Sequence, residues 1–126
     1  MKNRWAKVVV VLVVGLLLSG CAYTLSELRT KEPWQTLTSI KTPQELSKCI
    51  EFKMRAELGG GLTVNREEYP NNIYRVALQD LRLERAVADF LIKPTDSGSF
   101  VEVRKYDWTY APFLSKLLEK LEQCAK

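Results

Sequence analysis

The chain has 126 residues, of which 46% are hydrophobic and 27% charged, with 19 Lys+Arg against 15 Asp+Glu and no histidine. That length allows one domain, and the composition is that of a chain that buries a core rather than a disordered one. The missing histidine removes the commonest general base, the commonest metal ligand and every Ser-His or Cys-His mechanism.

The N-terminus carries Lys2, Arg4 and Lys7 and no acid, then an unbroken apolar run from Val8 to Leu18, then Ser19, Gly20 and Cys21. A positive start, a short apolar stretch and small residues at a cleavage point are the parts of a secretory signal. The apolar run is too short for a bilayer span, which needs about 20 residues. Leu18-Ser19-Gly20-Cys21 resembles the lipobox of bacterial lipoproteins (Leu, small, small, Cys). The resemblance covers the signal and its junction only. It implies a diacylglyceryl thioether on Cys21, cleavage before that residue and acylation of the new amine. A cysteine suits the role because its thiolate is the nucleophile that takes the lipid. Two or three acyl chains, at about 0.8 kcal/mol per buried CH₂, hold a protein far longer than one myristoyl chain does. Ala22 follows, where an Asp is the familiar inner-membrane retention signal of enterobacterial lipoproteins. That difference implies the periplasmic face of the outer membrane, with the outer leaflet of the inner membrane or the cell surface as alternatives.

The precursor therefore divides into a signal peptide (1–20), a lipidated N-terminus and tether (21–41) and a small α+β periplasmic domain (42–126). Removing the signal takes away three of the 19 basic residues, leaving 16 against 15 acidic ones. The sequence pI near 9.0 belongs largely to the signal and gives no case for nucleic acid.

Within the tether, Thr24–Arg29 can form a helical turn or two before Pro33 interrupts it, and Trp34, Leu37 and Ile40 can dock on the domain. Thr42 then caps a helix over 43–58, with Pro43 at its first position and Glu45 completing a capping box. Its apolar face is Leu46, Cys49, Ile50 and Met54. Gly59-Gly60-Gly61 ends it as a C-cap and loop; no Gly-Lys-Ser/Thr follows to make a phosphate loop.

Strands follow at Leu62–Arg66, Ile73–Gln79, Ala86–Lys93 and Phe100–Tyr106, marked by alternation and β-branched or aromatic content. Turns separate them at Tyr69-Pro70-Asn71-Asn72 and Pro94–Ser99, with a polar connection at Arg82–Arg85. Pro112 opens a last amphipathic helix with Leu114, Leu117, Leu118, Leu121 and Cys124 on one stripe. Short connections make the sheet antiparallel. The reading is a two-layer α+β domain of three to four strands covered by two amphipathic helices, in the order α-β-β-(β)-β-α.

With Cys21 taken by lipid, Cys49 and Cys124 remain, one on each helix stripe. Two readings stand: a disulfide, or two separate buried thiols. An oxidising compartment favours the disulfide.

No catalytic or metal site emerges. Glu67-Glu68 and Glu119/Glu122 read as solvated faces, as do Arg75, Arg82, Arg85, Arg104 and Lys105. No Asp/Asn calcium loop or Gly-x-Ser-x-Gly elbow is present, and no cofactor is implied. Tyr106, Trp108, Tyr110 and Phe113, with Trp34, form the candidate binding surface, since aromatic anchors dominate binding sites. The plainer reading is a seam between sheet, tether and last helix. The mature domain looks like small disulfide-containing domains of uncharacterised proteobacterial lipoproteins. The expected role is non-enzymatic: binding a protein partner in the envelope, as secretin pilotins do. The alternatives are a carrier of a lipid or envelope ligand in an apolar groove, or a phage- or plasmid-type surface-exclusion lipoprotein.

Overall fold

The computed structural model describes residues 24–57, 61–82, 85–106 and 111–126. Over these residues the fold is α+β, one antiparallel five-stranded sheet with three helices. In chain order these are α1 (Leu25–Arg29), β1 (Gln35–Ser39), α2 (Pro43–Glu57), β2 (Leu62–Tyr69), β3 (Ile73–Asp80), β4 (Arg85–Thr95), β5 (Gly98–Lys105) and α3 (Ala111–Ala125). The strands lie in the order β1-β5-β4-β3-β2, every neighbouring pair antiparallel.

β2 to β5 form a meander set by local turn chemistry. Asn71 and Asn72 take left-handed φ values of 67° and 61° between Tyr69 and Ile73, which are paired, and Asn tolerates that region better than most residues. The next turn is tighter than the sequence suggests. Pro94 and Thr95 remain in β4, paired with Ser99 and Gly98, so only Asp96 and Ser97 form the bend. A Cβ on Gly98 would run into the Ser39 carbonyl and the Ile40 backbone, so glycine is what lets β1 come so close.

Period-two alternation assigns the two sheet faces. Val76, Phe90 and Val103 share one cross-strand row, and Tyr74, Ile92, Val101 and Leu37 the next. This face meets Leu46, Ile50 and Met54 of α2 and Leu117, Leu121 and Cys124 of α3 in one core. The helix starts as its sequence dictates, with the Thr42 hydroxyl accepting from the Glu45 amide at 3.2 Å. Cys49 and Cys124 form the disulfide, tying the middle of α2 to the end of α3 across 75 residues of sequence.

One feature differs from the sequence reading: β1 is a fifth strand inside the segment expected as a tether. The helical turn read at Thr24–Arg29 is present as α1. Thr24 caps α1 by accepting from the Glu27 amide. Residues 24–41 are thus built into the sheet and its outer face. β1 is short, and it pairs not with a sequence neighbour but with β5. No local pattern reports such a partner.

The disulfide generates a prediction. Closing a loop of this size stabilises by roughly 4 kcal/mol in the chain-entropy treatment. Alkylation of unreduced, denatured protein should label neither Cys49 nor Cys124. The C49A/C124A double variant should melt well below the parent, by more than ~10 °C for a domain of this size; an unchanged melting temperature would show that the bridge adds nothing.

Candidate functional site

The sheet's outer face, turned away from α2 and α3, holds the densest charge cluster among the described residues. At its centre is Asp89, in the middle of β4 and completely buried. It is the one charged residue in the run Ala86–Ile92. The register sets Ala77 on one side of it and Arg104 on the other. Ala77 is small and leaves room above the sheet, and α1 occupies that side, packing against β4 and β5 with Leu28 fully buried.

A buried carboxylate is tolerated only when paired and hydrogen-bonded. Arg75 Nη1 donates to Asp89 Oδ2 at 2.6 Å, and Arg29 Nε of α1 donates to Oδ1 at 3.3 Å. Arg29 Nη2 reaches on to both oxygens of Glu67, at 3.2 and 3.0 Å, and the Tyr69 hydroxyl donates to the same carboxylate. Farther along, Arg104 Nε donates to the Lys31 carbonyl at 2.8 Å, and the Trp34 amide donates to the Val103 carbonyl at 2.8 Å. The chain from Thr24 to Trp34 is therefore strapped across the outer face by side chains of β2, β4 and β5 and by the β5 backbone.

Electrostatics follow from this packing. Burial pushes the Asp89 carboxyl above its ordinary value, against the opposing pull of Arg75 and Arg29. Glu67 pays some burial too, but the hydrogen bonds from Tyr69 and Arg29 hold it below the usual carboxylate range. The same Glu67 contact raises the Tyr69 hydroxyl. Glu67 and Glu68 point to opposite faces, and Glu68 pairs instead with Arg66 at 3.0 Å. The expectation of solvated faces is corrected for Glu67 and Arg104, which bond the N-terminal strap, and for Arg75, which is drawn onto Asp89. Asp89 and Arg29 escaped the sequence reading. The available signal was a single acid inside an apolar strand.

The sheet's two edges are treated differently. β2 carries Arg66, Glu67 and Glu68, and Arg55 donates to its Val64 carbonyl at 3.1 Å. β1 reads Gln-Thr-Leu-Thr-Ser, pairs on one side only among the described residues, and exposes Gln35, Thr36 and Thr38. Ile40, just beyond it, is 81% exposed. Charges and bulges are the usual means of blunting a sheet edge, and β1 has neither.

The five aromatic candidates do not share one environment. Trp34 is half-buried against the core with the Lys105 ammonium 5.4 Å from its ring centre. Tyr106 is buried, its amide bonded to the Val87 carbonyl and its ring under the Arg85 guanidinium at 4.8 Å. Phe113 is half-buried and, with Met54 and Leu117, lines a groove of about 250 Å³ between α2 and α3. Trp108 and Tyr110 lie outside the described residues, as does Cys21.

No protein-family model matches the chain, and neither does any curated protein or solved structure.

Arg29→Ala should cost about 2 kcal/mol in urea unfolding, the scale of a lost charge-assisted hydrogen bond in a part-buried site. The Leu28 amide, bonded to the Thr24 carbonyl, should exchange faster in the variant. For Glu67, a depressed carboxylate contributes stability above its unfolded pKa and loses it as pH falls through the lower folded value. Wild type and Glu67→Gln should therefore differ in urea midpoint near neutrality and converge in acid. Asp89 has the opposite sign: its raised pKa makes stability decline as pH climbs from the ordinary to the raised value. A gap between wild type and E67Q that persists into strong acid would show that Glu67 does not act through its charge.

Proposed function

We propose that the chain is a bacterial lipoprotein precursor whose folded domain is held at a membrane by lipid on Cys21. There it binds a protein partner in the cell envelope, with no catalysis of its own. The lipobox-like Leu18-Ser19-Gly20-Cys21 supports the anchor, and Ala22 favours the periplasmic face of the outer membrane over the inner membrane. The disulfide fits an oxidising compartment.

The observation that carries the partner-binding reading is the uncharged edge of β1, which no other strand among the described residues pairs. An exposed edge offers a row of backbone donors and acceptors to an extended segment of another protein, which joins as a further strand. The exposed Ile40 beside it adds apolar area. The ligand-carrier alternative rests on the groove lined by Met54, Phe113 and Leu117. At about 250 Å³ it is smaller than the roughly 300–1,000 Å³ of typical ligand sites, which makes it the second choice.

Two measurements test this. Cys21→Ala should abolish lipid attachment and leave an unprocessed precursor by mass spectrometry; a variant that still matures and partitions into detergent would refute the anchor. A photo-crosslinker at Thr36 or Thr38 should give a discrete adduct in cells, while one at Asn65 on β2 gives none. Lysines at both Thr36 and Thr38 should remove a partner trapped from Ile40. Equal crosslinking from β1 and β2, or no effect of the lysines, would reject the edge as the binding element.

A further inference from the structure

We infer that the N-terminal strap is a latch that sets how far the domain stands from the membrane, and that it turns the sheet's outer face toward the lipid headgroups. This rests on the proposed lipid at Cys21. The folded part of the chain is already fixed at Thr24, whose hydroxyl caps α1 and whose carbonyl accepts from the Leu28 amide. Three peptide steps separate Cys21 from Thr24. Fully extended they span about 10–11 Å. The start of α1 therefore cannot lie farther than that from the lipidated residue. Because α1 lies on the outer face, that face is next to the bilayer, and α2 and α3 on the other face point away from it.

The reach depends on the latch staying closed. Leu28 and the Arg29–Asp89 and Arg29–Glu67 contacts hold α1, and Arg104 holds the Lys31 carbonyl. If these let go, the next fixed point is Trp34, bound through its amide to β5. The leash then grows to 13 peptide steps, with a ceiling of about 45 Å and a coil-like mean near 20 Å. Closed, the latch confines the β1 edge to partners beside the headgroup layer. Open, it lets the same edge reach partners well above that layer. The cluster that grips Arg29 thus regulates reach without touching the binding edge.

The experiment uses the full-length lipidated protein in liposomes containing a headgroup-labelled acceptor lipid. A donor dye sits on Gln44→Cys, an exposed α2 position on the layer away from α1. Arg29→Ala should lower energy transfer about twofold, as lengthening the leash from three to 13 steps implies. A ten-residue Gly/Ser insertion after Ala22 lengthens the leash without touching the latch and should match it. Unchanged transfer in Arg29→Ala alongside reduced transfer in the insertion variant would overturn the latch. Unchanged transfer in both would show that the domain's stand-off is not set by the leash. Intact mass of Cys21 is measured in parallel. A chain with no lipid there would sink the anchoring proposal by itself. The latch would then be judged on the soluble domain, where the Leu28 amide should be protected in wild type and exchange at least tenfold faster in Arg29→Ala, equal rates overturning it.

Discussion

Asp89 is kept inside the protein as a carboxylate because two guanidiniums reach it, Arg75 from the neighbouring strand and Arg29 from α1. Removing water from that carboxylate is costly, and the charge is stable there only while the strap stays down. The strap in turn does for the outer face what α2 and α3 do for the inner one. It covers Ala77, Asp89 and Leu91, which are buried on a face that the two long helices do not touch. The sandwich is therefore three-layered in a minimal way, with five helical residues and a few extended ones as its third layer. Ion pairing rather than apolar area fixes that layer in register, since Leu28 is its one fully buried side chain.

The inner layers rest on different physics. Fifteen of the described residues interlock as a core between the sheet and the two helices, and a disulfide spans the helix pair. A small domain gains much from such a staple, because its core alone supplies little margin. The bridge sits on the far side of the sheet from Asp89, so the two halves of the structure are secured by independent means.

The sequence makes some of this plain and hides the rest, for reasons that differ by residue. The meander and both long helices are legible because their signals are local: Thr42-Pro43 opens α2, Tyr69-Pro70-Asn71-Asn72 turns the chain, and Val101 and Val103 alternate with polar neighbours in β5. Cys49 and Cys124 are legible as a bridge because each lies on a helix stripe facing the same core. β1 is not, since five residues with one half-buried leucine become a strand only when β5 is beside them. Nor is the latch. Arg29 and Asp89 are 60 residues apart, and each alone looks like an ordinary surface charge, although an aspartate within Ala86–Ile92 signals a buried partner. The aromatic cluster after β5 reads as a platform from composition, yet Tyr106 and Trp34 are engaged by Arg85 and Lys105 at the margins of the core.

The pairing of β1 with β5 has a mechanical side. β2 to β5 close through hairpins between neighbours, whereas Gln35 pairs with Val103 far along the chain, and such distant closure is slow to form. A pull on the N-terminus loads α1 first and the β1–β5 ladder next, while the meander and the bridged helix pair lie behind them. The strap and edge strand act as a fuse: they yield under load, and the rest of the domain is spared.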